Sequence, residues 1–256
     1  MIFNWLTEIF PKEIGQAWRL IRQDLPLWVG VSILLAATGV LSPSVPAWLA
    51  VLTSTTVAMV VLVVTPLIFD AKGRAEPTPR PDLQTMAAAL IAKSPSLLLW
   101  GGLVFAIITL AKILVKAAVL ILIDDVATRL VVAVAASWLV HLSLLLRFIF
   151  VPFLVVLEGK QNLPETLKGG GPFGRFATVM AWPLLASDRL GSAVRWRVLP
   201  YLILVGLEPT IVSSLAVPLQ PLASTVWQLF SLTAAAAVFA HYRAELERHG
   251  TRRADP

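Results

Sequence analysis

Apolar residues gather along the chain into six stretches, 26–42, 47–69, 97–117, 130–157, 198–217 and 222–241. A helix needs about 20 such residues to cross the hydrocarbon layer of a bilayer, and each stretch approaches or exceeds that length. Breakers separate them. Ser42-Pro43-Ser44-Val45-Pro46 makes a tight turn between the first two, and Pro218-Leu219-Gln220-Pro221 makes another between the last two. The connections at 70–96 and 158–197 are longer and polar.

A different pattern precedes each pair of stretches. In 13–25 (EIGQAWRLIRQDL), Ile14, Ala17, Trp18 and Ile21 share one helical face, Arg19, Arg22 and Gln23 lie opposite, and Pro26 follows. Segment 83–94 (LQTMAAALIAKS) is followed by Pro95, and 175–196 ends in a basic run ahead of Pro200. A short helix with one apolar and one basic face lies in the membrane plane. Proline then suits the first turn of the helix that enters the bilayer. The pattern predicts an all-α, polytopic helical membrane protein. Its six transmembrane helices form three hairpins, with units at about 8–69, 82–157 and 175–241, and interfacial amphipathic helices on the cytoplasmic face. A single integral membrane domain covers 1–256, with a cytoplasmic tail at 242–256.

Composition agrees. Hydrophobic residues make up 57% of the chain and charged residues only 14%, against about 25% charged in soluble domains. Mean hydropathy is +0.81, so lipid is the solvent for much of the surface. Cysteine is absent, which excludes disulfides, thiolate metal sites and thiol catalysis. The first basic residue is Lys12, and no cleavable signal peptide is expected.

Charge orients the spans. All but four of the 21 Lys and Arg residues fall in the N-terminal segment, the connections 70–96 and 158–197, or the tail. Lys112, Lys116 and Arg129 lie on the other side, and Arg147 lies inside a stretch. Cations concentrate on the cytoplasmic side, so both termini are expected there, in a bacterial inner membrane. Trp28, Trp48, Trp100, Trp196 and Trp227 fall near stretch ends, where indole favours the interface. The net charge of +6 follows this topology, and no aromatic-basic motif of a nucleic-acid module is present, so no nucleic-acid partner is expected.

Few residues suggest chemistry. Arg147 is ten residues from the stretch end at Leu157, about 15 Å along a helix, and Glu208 is equally far from Val198. Charge at mid-membrane is costly unless paired or hydrated, so equal depth suggests an Arg147–Glu208 pair, acting as a packing clamp or in a substrate or proton path. Glu208-Pro209 at an outer turn is the other reading. Lys112 and Lys116 share one face ahead of Asp124, Asp125 and Arg129. They are either snorkelling lysines at a solvated turn or a lipid-headgroup site. Arg195 and Arg197 are headgroup candidates on the inner face, and Arg248, Arg252 and Arg253 of the tail fit the same role. His141 reads as a hydrogen-bonded interior residue, and His241 and His249 belong to the tail. Residues 169–174, rich in glycine, lack the Gly-Lys-Ser/Thr ending of a phosphate loop and read as a hinge. No Gly-x-Ser-x-Gly, His-Glu-x-x-His or inward carboxylate cluster occurs, so no enzyme, metal or cofactor is expected.

Residues 147–159, RFIFVPFLVVLEG, contain Arg147, Pro152, Glu158 and Gly159 in an Arg…Pro…Glu-Gly order. This resembles a signature in the membrane domain of glycerophosphoryl diester phosphodiesterases and in related stand-alone bacterial membrane proteins of unknown function. AWRLIRQDLPLWVG at 17–30 is similar to that family's first membrane segment, and HYRAELER at 241–248 resembles its last. Where the family continues with an Ala-Leu-x-x-Ser-Trp-like stretch, this chain has QNLPETLK at 161–168. The phosphodiesterase chemistry belongs to a separate soluble barrel with metal-binding carboxylates and catalytic histidines. Three histidines, His141, His241 and His249, do not form that site. The resemblance and the basic inner face together imply a non-enzymatic membrane protein, lipid-associated or scaffolding, with membrane lipids and a membrane protein as partners. The alternative is a small transporter or channel subunit with Arg147–Glu208 in its pathway.

Overall fold

The structure, a computed structural model, describes residues 10–41, 45–73, 79–159, 162–167, 171–206, 212 and 214–251. Among these the chain is helical, with no strand. Ala47–Lys72, Leu83–Leu122, Val126–Leu157 and Val217–Gly250 are long and apolar enough to cross a membrane, and the bent pair Lys12–Gln23 plus Leu25–Thr38 makes a fifth if taken as one span. The turn residues 42–44, and Gly169, Gly170, Glu208, Arg252 and Arg253, lie outside the described residues. The chain divides into two compact units, Met1–Ala92 with Pro200–Arg248, and Lys93–Leu199 with His249–Pro256.

In the first unit α1 (Phe10–Gln23) and α2 (Leu25–Leu41) meet at a bend of 96°. Pro26 is the second residue of α2, where its missing N–H costs nothing and its ring stops α1 from running on. α1 packs against α2 and α3 (Ala47–Gly73) through Ala17 and Ile21. Trp18, expected on that face, is 37% exposed. The buried stripe is turned toward Glu13 instead, and Trp18 falls at its edge. Beyond it, the rings of Trp28, Phe69, Phe239 and Tyr242 stack in succession at 5.3, 5.7 and 6.0 Å between centroids. They join α2 and α3 to α9 (Gln220–Thr251), and tilted aromatic pairs of this kind add to simple burial. Beside the rings, Lys72 pairs with Asp24 at 3.6 Å and Arg243 with Asp70 at 3.5 Å.

α4 (Leu83–Leu122) is one helix of 40 residues, about 60 Å long and twice the hydrocarbon thickness. A separate surface segment ending at Pro95 is expected from the sequence, yet the helix continues through that proline. The apolar run beyond it can satisfy its backbone in lipid only by staying helical, which outweighs the one bond lost at Pro95. The N-termini of α4 and of the helix after it are both capped by aspartate. The Asp82 carboxylate accepts from the Thr85 N–H at 2.7 Å before α4, and Asp125 from Thr128 at 2.7 Å before α5 (Val126–Phe148).

In the second unit the stretch 130–157 falls within the single apolar segment Val126–Leu157, as expected, but its helix is interrupted. α5 stops at Phe148 and α6 (Val151–Leu157) begins three residues on. Pro152 has no N–H to offer the Phe148 carbonyl, so the ladder opens there. α7 (Gly171–Gly191), which covers most of the segment 175–196 expected as an interfacial helix of the inner connection, repairs the break. The hydroxyl of Ser187, fully buried, donates to the Arg147 carbonyl at 2.8 Å and accepts from the Phe150 N–H at 3.1 Å. A Cβ at Gly191 would stand 3.2 Å from the Leu146 carbonyl oxygen, so glycine lets α7 approach α5 this closely. Val151, Phe153, Leu154, Val155 and Val156 of α6 are all buried, and α6 packs against α7. The glycine-rich hinge expected at 169–174 is helical from Gly171 onward. α7 kinks at Ala181 (φ −142°, ψ 28°), two residues before Pro183. α8 (Arg195–Gly206) has twelve residues and holds Pro200 in its interior.

Candidate functional site

The polar features of the second unit converge between α4 and α5. α4 contributes Lys112 and Lys116, α5 contributes Val134, Ser137, Trp138 and His141, and the six line a cavity of about 290 Å³. Each helix supplies its residues at i, i+4 spacing, which puts them on one face. The turn between the helices sets their register. Arg129 closes it, donating from Nε to the Ile123 carbonyl at 2.7 Å and from Nη2 to that of Asp124 at 3.2 Å. Lys112 is ten residues before Leu122 and Ser137 eleven after Val126, so both lie about 15–16 Å from the turn. Lys112 and Ser137 therefore meet at one level, with Lys116 nearer the turn, at about 9 Å, and His141 farther from it, at about 22 Å.

Hydrogen bonding inside the cavity is incomplete. Ser137 is only 5% exposed, and neither its Oγ nor the His141 Nδ1 has a hydrogen-bond partner. Several helical hydroxyls donate back to their own helix, Thr56 to Leu52 at 2.8 Å, Thr225 to Pro221 at 2.8 Å, Ser231 to Trp227 at 3.0 Å and Thr233 to Leu229 at 3.0 Å, whereas buried Ser32 of α2, like Ser137, has no partner. Back-donation is the usual recourse of a hydroxyl in an apolar helix, and Ser137 does not take it. Among the described residues neither lysine has a carboxylate within salt-bridge distance. The same two helices also expose large apolar side chains, including Leu110, Ile113, Leu114 and Leu139. The cavity thus presents two ammonium groups, a hydroxyl and an imidazole nitrogen.

The other singled-out residues have different settings. Arg147 is half-exposed, and its Nε lies 3.9 Å from Asp188 Oδ1. Arg195 grips the same aspartate, through its carboxylate and through its carbonyl at 3.0 Å. Arg197 is exposed. With Glu208 outside the described residues, the carboxylate beside Arg147 is that of Asp188, on the segment expected as the third interfacial helix. Pro152 is the second residue of α6. Glu158 caps its end, the backbone N–H donating to the Leu154 carbonyl at 3.1 Å, and Gly159 follows. The residues of the Arg…Pro…Glu-Gly order thus mark the break and the end of one buried helix.

A further cluster in the first unit is not foreshadowed in the sequence. The Tyr201 hydroxyl donates to the Glu13 carboxylate at 2.7 Å, and His241 Nε2 lies 3.3 Å from the same oxygen. His241 sits within α9 rather than in a free tail. No local spacing links residues this far apart, so nothing short of the fold reveals the group. Outside the spans, two carboxyls are displaced from their ordinary value. Hydrogen bonds from the side chain and then the backbone N–H of Thr85 hold Asp82 low, and those of Thr128 do the same for Asp125. Comparison of the chain with protein families, curated proteins and solved structures finds no match.

Proposed function

We propose that this is a non-enzymatic integral membrane protein of the bacterial inner membrane that binds anionic lipid, holding the headgroup in the α4–α5 cleft. One observation carries the reading: Lys112 and Lys116, with no carboxylate within salt-bridge distance among the described residues, line one cavity with an unpartnered Ser137 hydroxyl and His141 nitrogen. Buried polar groups are ordinarily paired, so a set left open beside two cations fits an anionic guest. The apolar surroundings fit a guest that also carries hydrocarbon.

The proposed topology has six spans in three hairpins, with both termini cytoplasmic. Its support is the six apolar stretches, the one-sided distribution of Lys and Arg, and the ion pairs that tie Asp24 to Lys72 and Asp70 to Arg243. In this topology the turn at 123–125 faces outward and the cleft lies about half-way into the hydrocarbon layer.

Native mass spectrometry of the full chain in neutral detergent tests the binding. Phosphatidylglycerol is expected to be retained in preference to phosphatidylcholine with the same acyl chains. The double variant Lys112→Gln, Lys116→Gln is expected to lose that preference at an unchanged unfolding temperature. Equal retention of the two lipids by the unaltered protein rejects the reading.

A further inference from the structure

We propose that the α4–α5 cleft selects a phosphate monoester, the headgroup with two negative charges, over a phosphodiester with one. The inference rests on the lipid-binding reading of the same cleft and adds the chemical class of its ligand. Charge balance is the first argument. The cleft presents two ammonium groups and, among the described residues, no carboxylate within salt-bridge distance of either. A diester would leave one lysine uncompensated among apolar side chains, either Lys112 at about 15 Å from the turn or Lys116 at about 9 Å. A monoester dianion cancels both charges.

Donor geometry is the second argument. Lys112 and Lys116 stand one helical turn apart, with Cβ atoms about 5–6 Å from each other, so each reaches a different oxygen of a single phosphate. The Ser137 hydroxyl, which binds no carbonyl of its own helix, is free to serve a third oxygen, and His141 Nδ1 stands beside it. A monoester has three terminal oxygens to meet such a set, whereas a diester has two and brings a second substituent. Val134 and Trp138 at the edge then meet the start of the hydrocarbon chains.

Titration of the full chain in detergent at pH 8 tests the selection, because a phosphate monoester with a second pKa of about 6 is doubly charged there. The probes are phosphatidic acid, phosphatidylglycerol of matched chains, and inorganic phosphate as competitor. Phosphatidic acid is expected to bind at least tenfold more tightly than phosphatidylglycerol. Lys112→Gln, Lys116→Gln and Ser137→Ala are each expected to shrink that ratio at least threefold, with thermal unfolding as the control for folding. Inorganic phosphate at the concentration of the lipid should displace no phosphatidic acid, and displacement there would support the monoester class with a soluble source. Equal affinity for the two lipids overturns the monoester selection and leaves lipid binding standing. Failure of both lipids to bind overturns the lipid reading itself. A preference that survives all three substitutions places selection elsewhere and also overturns the inference.

Discussion

The Tyr201 hydroxyl donates to the Glu13 carboxylate at 2.7 Å, joining residues 188 positions apart. Tyr201 is 1% exposed, so its phenol has no water to turn to, and Glu13 is held a further 3.3 Å from His241. The bond ties α1 to α8 within the first unit. Tyr201→Phe keeps the ring and removes the donor. It is expected to lower the unfolding free energy in detergent by about 1.5–3 kcal/mol, the range for a hydrogen bond to a charged group. Glu13→Gln keeps an acceptor and should cost less. Equal losses in the two variants would assign the effect to the charge of Glu13 rather than to the bond.

Ser187 serves two backbone groups at the α5–α6 break and has no exposure to solvent. Ser187→Ala leaves the Phe150 N–H and the Arg147 carbonyl without this partner and is expected to cost about 1–3 kcal/mol. Ser192 is exposed and bonds only its own turn, to the Arg189 carbonyl at 2.8 Å. Its replacement by alanine should stay within about 0.5 kcal/mol. Unfolding curves in increasing denaturing detergent compare the two, and similar losses would contradict a bridging role for Ser187.

Arg147 and Asp188 are both partly exposed at a separation of 3.9 Å. Exposed ion pairs contribute about 0–1 kcal/mol, so a double-mutant cycle of Arg147→Gln with Asp188→Asn should give a coupling in that range. Arg147→Gln should therefore fold. A coupling of several kcal/mol would show instead that the pair is deeply desolvated.

The cap on α5 is predicted to fail in acid. The folded-state pKa of Asp125 lies below its ordinary value because the Thr128 side chain and N–H bond its charged form. Its contribution is therefore present above the unfolded aspartate pKa of about 4 and is lost as pH falls through the lower folded value. The Thr128 amide resonance should shift over that interval in the native protein. In Asp125→Asn, where no proton is taken up, it should stay in place.

Apolar runs are readable because lipid exposure leaves little choice of residue or of backbone. The stretches at 47–69, 97–117, 130–157 and 222–241 accordingly fall on long apolar helices. Proline is where the reading divides. Pro95 lies inside a continuous helix and Pro152 at a break, yet each stands just before an apolar run. What separates them is a distant residue, Ser187, that takes up the backbone groups opened near Pro152, and no local pattern contains it. The cleft is half legible for the same reason. Lys112 and Lys116 declare a shared face by their spacing, whereas Ser137 is silent, because a helical serine ordinarily satisfies itself on its own carbonyls. Asp188 is hidden by lying in a polar segment that the structure folds into α7 against α5 and α6.

The Ser187 bridge also sets an order of events during synthesis. Ser187 follows Arg147 by 40 positions and Phe150 by 37. At about 5–20 residues per second, a ribosome needs roughly 2–8 s to supply it after Arg147. For that interval the break between α5 and α6 exists without its partner, and a chain released or stalled there would present open backbone groups within its membrane segment. Truncations ending before residue 187 should accordingly be held by the insertion machinery or degraded, while those ending after 194 should persist.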